Sequence, residues 1–191
     1  MKRFEITPGA VALLCFLFYV SEIEVFFAFL LLSVLHELGH LAAMLLFGVE
    51  VRKIRVGILG TVISTAPMPL TAEIFCSLAG PFVNLFCFWV LRPCLPGAAL
   101  ISLLLACYNL LPVYPLDGGR ALRGMLCLCL PVDVADKAEG MVMLLFLGAM
   151  ALAVWQLSAG FGWMPLLIFA ALIVRVALER NYSCESMGTS V

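Results

Sequence analysis

Both histidines of the chain lie in one apolar run, residues 25–48, in a His-Glu-Leu-Gly-His sequence that begins at His36 and ends at His40. A helix turns once in about 3.6 residues, so the two imidazoles share one face and can bind one metal ion. Glu37 lies beside them, where its carboxylate can accept a proton from a metal-bound water. A carboxylate near the middle of a bilayer costs about 2.5–3.5 kcal/mol. A zinc ion held by the imidazoles, with Glu37 hydrogen-bonded to its water, would offset that cost.

Two other interpretations of this sequence exist. A histidine in a membrane helix can be a hydrogen-bond partner between helices, and the H-E-x-x-H pattern arises by chance in soluble helices. In this chain the flanks are wholly apolar and there is no third histidine. The metal interpretation is therefore favoured.

The composition is that of a membrane protein. Hydrophobic residues make up 64% of the chain and charged residues 12%, with long uncharged stretches. We predict an all-α polytopic membrane protein with about six transmembrane helices, embedded in a lipid bilayer. The expected spans are residues 8–21, 25–47, 74–91, 97–114, 141–157 and 161–174. A net charge of −1 gives no reason to expect nucleic acid as a partner.

The distribution of basic residues predicts the orientation. With six spans and the N-terminus inside, ten of the eleven Lys and Arg residues lie on the inner side and only Arg92 lies outside. Both termini are therefore expected in the cytosol. We predict one domain, residues 1–178, followed by a polar, disordered cytosolic tail, residues 179–191. Charged residues 131–140 are predicted to form a solvated linker or a short surface helix.

Residues 51–70 differ from the apolar segments on either side. They are rich in β-branched residues and are interrupted by glycine and proline. We predict a small β-hairpin or re-entrant segment after the second span, the alternative being an amphipathic loop. A strand edge in this segment could pair with an extended peptide, and we expect Ile58 and Val62 to contribute backbone donors to that edge.

A catalytic zinc usually has three protein ligands and a water, so two histidines leave the site one ligand short. Asp117 is the best candidate for the third. Pro112 and Pro115 break the helix before it, and two glycines follow it, so an unwound segment can aim its carboxylate inward. The alternatives are a solvated loop turn and an ion pair with Arg120.

Three motifs in this order resemble those of the site-2 protease family of intramembrane zinc metalloproteases. The first is the H-E-x-x-H sequence, and the second, residues 79–84, looks like the family's A-G-P-x-x-N stretch. The third is the family's N-x-x-P-x-x-x-x-D-G segment, which this chain matches at Asn109, Pro112, Asp117 and Gly118.

The resemblance implies a zinc metalloendopeptidase that holds one Zn²⁺ per chain. It assigns His36, His40 and Asp117 as zinc ligands and Glu37 as the catalytic base. The implied reaction is hydrolysis of a peptide bond in or beside a membrane segment of a membrane-associated protein. A transcription-factor precursor in regulated intramembrane proteolysis is one such substrate.

The resemblance also implies two further polar site residues, Asn84 and Asn109. Either residue could stabilise the tetrahedral intermediate or position the substrate. The alternative for both is a hydrogen bond between helices.

Short length, cytosolic termini and six spans are most similar to the branch that contains the stage IV sporulation protein FB. This similarity implies a bacterial cell membrane, a role in sporulation and a regulatory membrane protein as partner. Members of that branch often carry a nucleotide-binding CBS domain, which we do not expect here.

The rival function is a membrane metal-ion transporter, which would also place histidines and carboxylates in membrane helices. A transporter does not need a glutamate adjacent to a ligand or the segment around Asp117.

Overall fold

The computed structural model describes residues 4–57 and 60–161, and these residues are mostly helical. They divide into two compact units, with the boundary after Leu111. The predicted tail and, apart from Phe161, the predicted sixth span lie outside the described residues. In chain order the elements are β1 Phe4–Ile6, α1 Pro8–Val20, α2 Ile23–Leu46, β2 Val51–Gly57, β3 Gly60–Thr65, α3 Leu70–Leu91, α4 Pro96–Asn109, α5 Asp117–Cys129 and α6 Val132–Phe161.

Three of the described helices are long and apolar enough to cross a membrane: α2, α3 and the Val132–Val154 part of α6. The apolar helices α1 and α4 have only 13 and 14 residues. At about 1.5 Å per residue each reaches about 20 Å, against about 30 Å for the hydrocarbon core. The membrane character is thus supported, whereas six transmembrane helices are not confirmed.

The predicted hairpin is present in the first unit. Strands β2 and β3 pair antiparallel, with Val56 opposite Thr61 and Gly57 opposite Gly60. Strand β1, which the sequence analysis did not predict, pairs parallel with β2, so β2 is central and β3 is an edge. A strand of three residues is too short to show a period of two, and this explains why it was missed.

Close packing of α2 on α3 positions the histidines. A Cβ atom on Gly39 would lie 2.8 Å from Cγ2 of Val83 and 2.9 Å from the carbonyl oxygen of Ala79. No larger residue fits at Gly39 without separating the helices. The glycine of the H-E-x-x-H sequence therefore brings the histidine face of α2 directly onto α3.

The second unit contains a helix that the sequence analysis did not predict. The predicted span 97–114 ends as α4 at Asn109, and the amphipathic helix α5 begins at Asp117. Residues 131–140, predicted as a solvated linker or a short surface helix, form the first part of the long helix α6, apart from Pro131.

An ion pair joins α5 to α6. The Arg123 guanidinium lies 3.0 Å from the Asp136 carboxylate. Burial alone would lower the pKa of Arg123, but the hydrogen bond and the charge of Asp136 raise it above its usual value. Arg123 therefore remains charged at this contact.

Candidate metal centre

His36 and His40 lie one turn apart on the face of α2 that packs on α3. Both are buried, with 6% and 7% of their surfaces exposed. Their Nε2 atoms converge to 3.1 Å. The structure therefore places both imidazoles on one face, as the spacing predicts.

A hydrogen bond to α3 determines which ring nitrogen of His40 carries the proton. Its Nδ1 lies 2.7 Å from the carbonyl oxygen of Cys76. A carbonyl oxygen only accepts hydrogen bonds, so Nδ1 carries the proton and donates it. The Nε2 atom of neutral His40 then has a free electron pair, as a metal ligand requires.

The second histidine meets the side chain of Asn84, which is fully buried on α3. Nδ2 of Asn84 donates to Nδ1 of His36 over 3.2 Å. With Nδ1 as acceptor, His36 carries its proton on Nε2 and donates it to Nε2 of His40. The three bonds form a chain of donors from Asn84 through both imidazoles to the Cys76 carbonyl.

A glycine makes room for the two rings. A Cβ atom on Gly80 would lie 2.7 Å from Cε1 of His40 and 2.8 Å from Cε1 of His36. Contacts this short do not occur between carbon atoms, so the rings would have to move. Gly80 and Asn84 are one turn apart on α3, which places both on the side that faces the histidines.

The remaining predicted catalytic residues are half-buried. Glu37 follows His36 on α2, and Asp117 is the first residue of α5 in the second unit. The sequence predicted that Asp117 lies in an unwound segment. The irregular segment between α4 and α5 instead ends at Leu116, so Asp117 belongs to a helix. The backbone N–H groups of a helix N-terminus favour a carboxylate there.

Asn109 makes a local contact. Its Nδ2 donates to the carbonyl oxygen of Leu105, one turn earlier on α4. Its role in stabilising the tetrahedral intermediate or positioning the substrate remains a prediction.

The backbone of β3 alternates between the central strand and the open edge. Thr7 N–H donates to the Val56 carbonyl oxygen over 2.9 Å, so the backbone groups of Val56 face β1. Thr61 is opposite Val56, and its own groups therefore face away from β2. Ile63 has the same orientation as Thr61, while Val62 between them faces Arg55 of β2.

This register corrects the expectation for the strand edge. The N–H group of Val62 is directed at the central strand, so it is not a donor to a peptide at the open edge. Ile58 lies outside the described residues. The donors at the described open edge belong to Thr61 and Ile63.

Two hydrogen-bonding groups at the site were not predicted from the sequence. The Cys76 carbonyl is a backbone group and has no signature in the side-chain pattern. Ser102 is fully buried on α4, and its hydroxyl donates to the Asn84 carbonyl oxygen over 2.8 Å. A serine within an apolar helix was the signal available for it.

The donor set fits zinc. Imidazole nitrogens bind zinc at about 2.0–2.1 Å, so two of them in a tetrahedral site lie about 3.3 Å apart. The Nε2 atoms of His36 and His40 are 3.1 Å apart, close to that spacing. Small ring movements would accommodate the ion.

Comparison with known proteins agrees with this chemistry. Residues 87–154 match the sequence model of Peptidase family M50. The matched segment is about a third of the chain. The chain is 35% identical over 116 residues to "Zinc metalloprotease MJ0392" of Methanocaldococcus jannaschii. That match covers 53% of this chain and 34% of the relative, so the chain spans about a third of the length of that protein.

The fold also has a solved counterpart. A structure described as "Site-2 Protease from Methanocaldococcus jannaschii" superposes with a TM-score of 0.63 and 25% identity. The superposition covers 91% of this chain and 88% of the other. The resemblance to site-2 proteases is confirmed, whereas the sporulation branch and the missing CBS domain remain predictions.

Proposed function

We propose that this chain is a member of Peptidase family M50, an intramembrane zinc metalloprotease that hydrolyses a peptide bond in or beside a membrane segment of its substrate. The observation that carries the proposal is the convergence of the His36 and His40 Nε2 atoms to 3.1 Å, with Glu37 next to His36. A zinc site buried in an apolar helix has little reason to include an adjacent carboxylate unless that group handles protons.

His36, His40 and Asp117 would hold one zinc ion per chain. When bound, the ion supplies Lewis acidity and a water whose pKa is near 7. Glu37 accepts the proton of the attacking water on its carboxylate and returns it to the amine nitrogen that leaves. Asn109 is the candidate donor to the carbonyl oxygen of the scissile bond, because its amide is only partly buried and bound within its own helix.

The substrate must be extended at the cut. A helix hides its carbonyl groups in hydrogen bonds, so the segment around the scissile bond has to unwind before attack. The outward backbone groups of Thr61 and Ile63 offer replacement hydrogen bonds to the unwound strand. Strand pairing at β3 would then hold the substrate, while α2 supplies the chemistry.

We assign the chain to the bacterial cell membrane with both termini in the cytosol, on the strength of its basic residues. Its expected partners are a membrane-associated substrate, such as a transcription-factor precursor, and a regulatory membrane protein. The similarity to the sporulation branch supports regulated intramembrane proteolysis during sporulation as the context.

The test uses the purified chain in liposomes with synthetic single-span peptides whose helices contain a glycine-proline break. The proposal predicts peptide cleavage that a zinc chelator stops and added zinc restores. Zinc flux is measured on the same vesicles, because a metal-ion transporter is the rival. Flux without cleavage would contradict the proposal.

The cellular substrate is found by a separate comparison. Membrane fractions from cells that carry the active chain and cells that carry Glu37→Gln are compared by proteomics. The protein that accumulates uncut in the variant is the substrate. No accumulation of any uncut membrane protein would contradict a proteolytic role in those cells.

A further inference from the structure

Asn84 has an arrangement that packing alone does not explain. Its side chain is fully buried between α2 and α3, where Nδ2 donates to His36. Among the described residues, Oδ1 of Asn84 has no hydrogen-bond partner. An unpaired buried acceptor costs about 1–3 kcal/mol, so an apolar side chain of similar size would pack better here. The amide is therefore best explained by its contact with His36.

The two histidines differ in the group that contacts Nδ1, the ring nitrogen that does not face the other imidazole. The Cys76 carbonyl can only accept, so His40 keeps its proton on Nδ1 and its Nε2 is free to bind a cation. For His36 to bind the same cation through Nε2, its proton must move to Nδ1. The group opposite Nδ1 must then present an acceptor atom. In this structure that group is the Asn84 amide.

A side-chain amide can serve both states. It has a donor and an acceptor of nearly the same shape, and a half-turn about its terminal bond exchanges them. With Nδ2 toward His36, the imidazole carries its proton on Nε2. With Oδ1 toward His36, the proton is on Nδ1 and the Nε2 electron pair is free.

We infer that Asn84 is a positioning residue that selects the metal-binding tautomer of His36. When His36 binds zinc through Nε2, the amide presents Oδ1 and accepts from Nδ1–H, whereas the opposite orientation, in which Nδ2 donates to Nδ1, keeps the proton on Nε2. One proton leaves Nε2 for water and another is taken up at Nδ1, so the imidazole stays neutral. This inference rests on the proposed function, and it gives Asn84 a role at the metal ligand and not at the tetrahedral intermediate.

The rest of the residue is held in place while the amide turns. The Ser102 hydroxyl donates to the backbone carbonyl oxygen of Asn84 over 2.8 Å, and Ser102 is itself fully buried. This bond ties α3 to α4 at the level of the histidines. The side chain can therefore change its donor and acceptor without a shift of the helix.

The first test measures zinc affinity by chelator competition in detergent, with Glu37→Gln present throughout so that proteolysis does not interfere. Asn84→Leu removes the acceptor at similar volume, and zinc affinity should fall about 10–100-fold, as for other residues that orient a ligand. Asn84→Asp keeps an acceptor and should stay within a few-fold of the parent. Gln156→Leu, which changes an exposed amide on α6, is the control and should leave zinc affinity unchanged.

The second test does not depend on a variant. The chain has only two histidines, so ¹⁵N-histidine NMR resolves both rings. With zinc bound, His36 and His40 should both carry their proton on Nδ1.

The outcomes separate the two claims. A parent chain that binds no zinc would contradict the proposed function. If the parent binds zinc, equal affinity in Asn84→Leu, equal losses in Asn84→Leu and Asn84→Asp, or an unprotonated His36 Nδ1 would each overturn the role of Asn84 alone.

Discussion

Gly80 of α3 lies against the imidazole of His40 so closely that a Cβ atom would overlap with Nε2. The overlap would fall on the nitrogen that faces His36, at the point where a metal ion would bind. The absence of a side chain at Gly80 is therefore a requirement of the site as well as of the packing between α2 and α3.

Gly80→Ala should consequently displace both imidazoles and lower zinc affinity by at least about 10-fold, as for other changes that disturb ligand orientation. Metal content after dialysis against a weak chelator measures the effect. Gly148→Ala is the control, because a Cβ atom there meets nothing within 4 Å. Full zinc content in Gly80→Ala would show that the rings do not bind the metal in this arrangement.

Asp117→Ala should lower both bound zinc and activity, since the proposed site then has one protein ligand fewer. Asp133→Ala is the matched control, an exposed carboxylate in the first turn of α6. Asp136 is less suitable, because it pairs with Arg123. Stoichiometric zinc in Asp117→Ala would mean that another residue completes the site.

Proline at Thr61 or Ile63 removes an N–H group from the open edge of β3 without removing a bond to β2. We expect cleavage of a membrane substrate to fall about 10-fold, with zinc content unchanged. Ile63→Thr keeps the backbone donor and should be tolerated. Full activity in both proline variants would show that the substrate does not pair with this edge.

Two native cysteines test the orientation. Cys94, between α3 and α4, and Cys129, at the end of α5, are both exposed and free. In single-cysteine variants, an impermeant thiol reagent added outside intact cells should modify Cys94. The same reagent should modify Cys129 only after the cells are permeabilised. The reverse labelling would invert the proposed topology.

The sequence was most informative where the chemistry is local. The spacing of His36 and His40 predicted a shared face, and the β-branched run after α2 predicted the hairpin. Strand β1 was missed because it is short. Helix α5 was missed because its glycines and its polar residues do not resemble an apolar span.

Properties that depend on packing could not be predicted in this way. The sequence marked Asn84 as a polar residue of the site, but the nitrogen that it faces depends on how α3 lies on α2. In the same way, the donors at the open edge follow from the Thr7–Val56 bond, which fixes the direction of the β2 backbone. Thr7 directly follows β1, the strand that the sequence did not reveal.

The most direct test of the central claim is the comparison of zinc content and peptide cleavage in Glu37→Gln. The amide cannot accept the proton of the attacking water, so cleavage should fall at least about 100-fold. Zinc should remain stoichiometric, because the change leaves all three proposed ligands in place. Near-normal cleavage by this variant, with its zinc verified, would contradict the account.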